Sequence, residues 1–173
     1  IFDSSIRHIL VRHEQGAGHA ATGYAQVTGR VGVCIATSGP GATNILTGIA
    51  TAQADSSPMV AVTGQVPVAM IGKDAFQESD IIGMANPVVK YAFQPRTPGE
   101  VPEMVKKGFY IAETGRPGPV LIDVPKDVQQ NESPMEFPEE FKIQGYHPWY
   151  DPDMVACEKA IEMLLNSEKP IIL

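Results

Sequence analysis

"VGVCIATSGPGATN", residues 31–44, passes from an unbroken apolar run into a glycine-rich turn and then into a helical pattern. The run Val31–Thr37 does not alternate, so a strand there is buried on both faces, as in a parallel sheet covered by helices. Other strand candidates are Arg7–Arg12 (RHILVR), Met59–Thr63, a weaker Val88–Phe93 and Pro119–Val124. Helical patterns separate them at Gln15–Thr28, Ala42–Ala54 and Val101–Thr114. This alternation of β and α segments predicts an α/β fold with a doubly wound parallel sheet.

Such a sheet binds its ligands beyond the carboxyl ends of the strands. The least ordinary residues fall there: Glu14, Ser38-Gly39-Pro40-Gly41, Gln65 and Lys126. Polar βα loops are common in any case, which would account for Gln65 or Lys126 singly but less well for "TSGPGATN".

The 173 residues suit one domain and a piece of a second, and the 43% hydrophobic content supports a core. Net charge is −7 and the 13 basic residues form no cluster, which argues against nucleic acid or an anionic membrane as partner. No stretch is apolar enough to span a bilayer. Cys34 and Cys157 lie far apart and read as thiols of a reducing compartment, the cytoplasm.

From Pro125 to Tyr150 the chain turns Pro-rich and charged, as a linker does. A helical pattern resumes over Asp151–Asn166 and leads to "KPIIL", a strand-like run with nothing to pair with. The expected organisation is a domain over 1–130, a linker over 131–150 and the start of another domain over 151–173, all cut from a longer chain.

Glu14, in "VRHEQGAGHAATGYA" (residues 11–25), stands where a strand gives way to a helix. A zinc protease would need H-E-x-x-H, but position 17 is alanine and the second histidine is six residues on, off the helix face of the first. Gly16–Ala21 satisfies G-x-G-x-x-A, the dinucleotide fingerprint, yet the acidic residue required about 20 positions later is missing. A charged Glu14 would also repel a pyrophosphate. As a helix-start acid it gains about 0.3–1 kcal/mol from the dipole. That leaves unexplained Gly16, Ala17, Gly18, Ala20, Ala21 and Gly23, a bare surface open to another backbone or a flat ligand. "SGPGATN" lacks the Lys-[Ser/Thr] of a P-loop, and Pro40 stiffens it into an edge suited to a flat apolar group.

Together these landmarks resemble the acetolactate synthase large catalytic subunit, a thiamine-diphosphate enzyme family. The likeness runs from Ile6 to about Val128 through "RHEQGAGHAATGYA", "TSGPGATN", "TGQVP", "GKDAFQE" and "TGRPGPVLIDVPKDV". The resemblance implies the family's pyrimidine-binding domain, a doubly wound sheet whose first strand and Gly-Gly loop would precede Ile1. Glu14 would bond N1′ of the cofactor's aminopyrimidine and favour its imino tautomer, from an apolar niche that raises the carboxyl pKa. Thr37, Pro40 and Asn44 would line the cofactor pocket, and Gln77 would lie near the reacting centre. Phe76 and Lys126 would shape the site for a second keto acid. Pro67 and Ala75 match positions in the substrate channel, and Arg116 matches a contact to FAD. Lys73 departs from the family, many members of which have Thr.

The implied reaction condenses pyruvate with a second pyruvate or 2-ketobutyrate, with thiamine diphosphate, Mg²⁺ held by residues outside this chain, and FAD. A second copy of the chain would complete the site, and the resemblance leaves room for a regulatory subunit. The chain alone would then be inactive. Pyruvate oxidase and sulfoacetaldehyde acetyltransferase share the Glu and the glycine loop and are alternatives, as is an assembly module without chemistry.

Overall fold

The structure is a computed structural model that describes residues 4–134, 136–148 and 151–171. Strands β1 (Gly32–Ala36), β2 (Met59–Gln65), β3 (Tyr91–Phe93) and β4 (Pro119–Pro125) form one sheet in the order β1-β2-β4-β3. All three pairings are parallel, and the register sets Ala36 beside Thr63 and Thr63 beside Asp123. The helices are α1 (Glu14–Thr28), α2 (Pro40–Ala54), α3 (Ile81–Ala85), α4 (Val101–Glu113), α5 (Lys126–Gln130) and α6 (Met154–Leu165).

Alternation along the strands divides the core. Met59, Ala61 and Leu121 join Cys34 and Ala36 in a cluster with Ala21 of α1, Ile45 and Ile49 of α2, and Ile81 of α3. Val60, Val120, Ile122 and Val124 face the other way, onto Ile111 and Ala112 of α4 and Val128 of α5. Helices therefore cover both faces of a parallel sheet, the doubly wound arrangement its continuous apolar runs require. On β1 the second face is open, with Val33 and Ile35 about half exposed.

The bare surface of α1 is taken by backbone. A Cβ on Gly18 would lie 2.9 Å from Gly48 Cα of α2, and one on Gly32 would lie 2.1 Å from the Ala21 carbonyl oxygen. The small residues thus seat α1 on α2 and on the start of β1.

Three expectations change. Arg7–Arg12 forms no strand: no neighbouring strand offers it a ladder, and Ile9 and Leu10 stay exposed. β3 is shorter than Val88–Phe93 because Asn86–Val88 closes into a 3₁₀ turn with Pro87 near its start. Lys169–Ile171 is not a strand, and the last two residues of "KPIIL" lie outside the described residues.

The segment 136–148 is irregular yet fastened to α4. Tyr110 meets Phe141 and Tyr146 edge-on, with ring centroids 5.4 and 6.1 Å apart. Lys106 Nζ donates to the carbonyls of Pro138 and Glu139. Lys90 Nζ donates to the Ile111 and Thr114 carbonyls and to Tyr146 Oη, so its charge caps the carboxyl end of α4. Beyond this strap, α6 buries none of its residues.

Candidate functional site

The carboxyl edge of the sheet gathers most of the residues singled out in the sequence. Thr37 follows β1, Gln65 ends β2, and Lys126 follows β4. Together with Ser38, Gly64 and Val124 they line a cleft of about 580 Å³. Arg116 lies elsewhere. It precedes β4 and bonds through Nε to Ser56 Oγ at 2.8 Å, just ahead of β2, so it sits at the amino edge of the sheet.

Glu14 begins α1 behind His13, whose Nδ1 accepts from the Gln15 amide. Asn44, in the second turn of α2, donates from Nδ2 to Glu14 Oε2 at 3.1 Å. Gly41 lies between Glu14 and Thr37: a Cβ there would come within 2.7 Å of Thr37 Cγ2 and 3.3 Å of Glu14 Oε1. The glycine loop thus leaves one carboxylate oxygen facing bare backbone.

The expected rise in the Glu14 pKa does not occur within this chain. Its own backbone N–H and then the Asn44 amide hold it below the ordinary value of 4.5, outweighing partial desolvation, and His13 adds a further downward push. The side chain is only half-buried. Desolvation in an apolar enclosure would drive the carboxyl upward, and these residues do not supply one.

A second loop leans on the first. Gly39 caps α2 at φ +60°, and a Cβ on it would lie 2.7 Å from the Gln77 carbonyl oxygen. Gln77 is itself left-handed at φ +60°, a costly conformation for a side-chain-bearing residue. Between Ile71 and Asp80 the Glu78 carboxylate accepts from the amides of Gly72 and Ala75, bonds that lower its pKa. Phe76 projects from this loop 90% exposed. Pro67 precedes the 3₁₀ turn Val68–Met70, and Ala75 faces Glu78 through its amide. Lys73 is exposed on the same loop.

One constellation escaped the motif reading. Asp123, fully buried on β4, accepts from Thr63 Oγ1 at 2.7 Å, Gln65 Nε2 at 3.0 Å and Gln94 Nε2 at 2.8 Å. The signal was a lone acid inside the apolar run "PVLIDV".

The site fits part of a thiamine group. Glu14 is an ionised acceptor over a glycine, as a protonated ring nitrogen requires. Among the described residues, no group of three or more His, Cys, Asp or Glu side chains is arranged to hold a metal ion.

A parallel sheet with such a carboxyl edge is shared with a known class. Residues 1–84 match the family described as thiamine pyrophosphate enzyme, N-terminal TPP binding domain. It is 54% identical over 169 residues, 98% of its length, to the acetolactate synthase large subunit of Corynebacterium glutamicum. It is 52% identical over 176 residues to a probable acetolactate synthase large subunit of Methanocaldococcus jannaschii, and 53% over 171 residues to the large subunit of Cyanidium caldarium, covering 100% and 96% of this chain. The chain spans 27%, 30% and 29% of these relatives respectively.

Proposed function

We propose that this chain supplies the pyrimidine-activating half of an acetolactate synthase active site. The observation that carries the reading is the Asn44–Glu14 pair beside Gly41, in a chain half identical to large subunits of that enzyme.

Thiamine diphosphate, when bound, supplies the electron sink for decarboxylating a 2-keto acid and transferring the two-carbon unit to a second one. Glu14 accepts the hydrogen bond of the aminopyrimidine N1′ and shares its proton. Asn44 orients that carboxylate, and Thr37 and Pro40 wall the ring on the side of the glycine loop. Glu14 needs a proton affinity near that of its partner nitrogen, so its raised pKa belongs to the assembled site, where a second copy and the ring enclose it. Phe76, Gln77 and Lys126 face the keto acids, pyruvate and then pyruvate or 2-ketobutyrate. Arg116, at the opposite edge, is assigned to FAD. Mg²⁺ is held by residues beyond these, and a regulatory subunit belongs among the candidate partners.

The reading divides the chain into a pyrimidine domain over 1–130, a linker over 131–150 and the start of a central domain over 151–173. It locates the enzyme in the cytoplasm, where the thiols Cys34 and Cys157 stay reduced.

The test replaces the matching segment of the Corynebacterium glutamicum subunit with this chain. Acetolactate is then measured from pyruvate with thiamine diphosphate, Mg²⁺ and FAD. We expect Glu14→Gln to lower the rate by about two to four powers of ten, the range of lost proton-transfer catalysis. An unchanged rate in the variant would reduce Glu14 to a helix-start acid. A different thiamine-dependent product would refute the named reaction.

A further inference from the structure

Gln65 makes three hydrogen bonds that join distant parts of the chain. Its Oε1 accepts from the Val66 amide at 2.8 Å, where the chain leaves β2. Its Nε2 donates to the Ser79 carbonyl at 2.9 Å, where the chain returns toward α3. The same Nε2 donates to Asp123 Oδ2 at 3.0 Å. One amide therefore closes the base of the loop that carries Phe76 and Gln77. The Ser79 hydroxyl is buried without a hydrogen-bond partner, so the loop exit is held through its backbone.

Asp123 decides which way that amide points. A carboxylate only accepts, and so does the Ser79 carbonyl. Reversing the amide would turn Oε1 towards both and strand the Val66 N–H against an NH₂ group. Thr63 and Gln94 donate to the same carboxylate from β2 and from just beyond β3, so Asp123 is anchored on either side. Burial raises its pKa against these three donors, with Asp80 adding to the rise. The entry of the loop has a second tie, Val68 N to the Asp127 carboxylate at 3.1 and 3.2 Å, beside Lys126.

We propose that Asp123 and Gln65 are positioning residues: the carboxylate fixes the Gln65 amide, and the amide clasps the 66–79 loop so that Phe76 and Gln77 are presented at the sheet edge. That these two meet substrate rests on the acetolactate synthase reading; the clasp itself does not.

Hydrogen exchange on the 173-residue chain tests it with Asp123→Asn. Losing the acceptor that fixes the amide should speed exchange at the amides of Gly72, Ala75 and Glu78 by about tenfold, the effect of one or two lost hydrogen bonds. Amides in α2 and β1 should keep their wild-type rates. Equal acceleration throughout the chain, or none in the loop, would overturn the proposal. Should Asp123→Asn fail to fold, Gln65→Met is read the same way, since it leaves Asp123 its bonds from Thr63 and Gln94. In the grafted enzyme, either variant should raise the KM for pyruvate several-fold more than it lowers kcat. An equal fall in kcat with KM unmoved would overturn the positioning role. A graft that makes no acetolactate even with the wild-type chain refutes the acetolactate reading and leaves the exchange result standing.

Discussion

Asn44 Nδ2 reaches Glu14 Oε2 across 3.1 Å, from the second turn of one helix to the first residue of another. The amide helps hold Glu14 in its charged form, below its ordinary pKa. A carboxylate whose folded pKa is depressed contributes stability above its unfolded pKa, and loses it as pH falls through the lower folded value. Asn44→Ala should move the Glu14 midpoint upward, towards 4.5, in a carboxyl-detected NMR titration. A midpoint that stays put would mean that the backbone N–H and His13 set the charge without the amide.

The contact of α1 with α2 admits no side chain at position 48. A Cβ there would lie 2.7 Å from Gly18 Cα, and backbone cannot swing aside as a flexible side chain does. Gly48→Ala gains about 1 kcal/mol in helix propensity but costs about 1–3 kcal/mol in overpacking. The urea midpoint should fall. A rise would show that the two helices part freely.

Lys90 places a cation among three oxygens from Ile111, Thr114 and Tyr146. Lys90→Met would remove the ammonium donor from the partly buried Ile111 carbonyl, while the Thr114 carbonyl keeps the Tyr146 hydroxyl, at a cost of about 1–3 kcal/mol. It would also loosen the strap, so chymotrypsin should cut at Phe141 or Tyr146 well before the sheet unfolds. Resistance equal to wild type would assign the strap's hold to its aromatic contacts and to the bonds made by Lys106 and the Tyr146 hydroxyl.

The two thiols should differ sharply towards a disulfide reagent. Cys34 is buried, which pushes its pKa up to about 12, whereas Cys157 is exposed on α6. Only the thiolate attacks, so one thiol should react at once and the other only as the fold opens. Two fast thiols would contradict the packing of β1.

Pro119–Val124 was legible because burial on both faces writes an unbroken apolar run, as in β4; Val31–Thr37 coincides closely with β1, whose apolar run nonetheless leaves one face half exposed. RHILVR carries a shorter apolar run, Ile9–Val11, and forms no strand, because a strand is made by its neighbour as much as by its own residues. The short α3 and the 3₁₀ turns lie in stretches too brief for any periodicity to develop. The site was legible where residue type was unusual, as at Glu14 and the glycine loop. Its electrostatics were not, since the direction of the Glu14 shift depends on which partners stand around it. The bond between Asp123 and Gln65 depends on strand register, which puts residues 58 positions apart within reach of each other.

Because the Gln77 carbonyl occupies the space where Gly39 would carry a Cβ, the glycine turn ahead of α2 and the Phe76 loop form a single mechanical piece. Neither can rock without the other. A change that shifts Phe76 is then felt at the turn leading to Thr37 and Asn44. On the proposed acetolactate synthase reading, discrimination between incoming molecules and the posture of Glu14 would therefore vary together when either loop is altered.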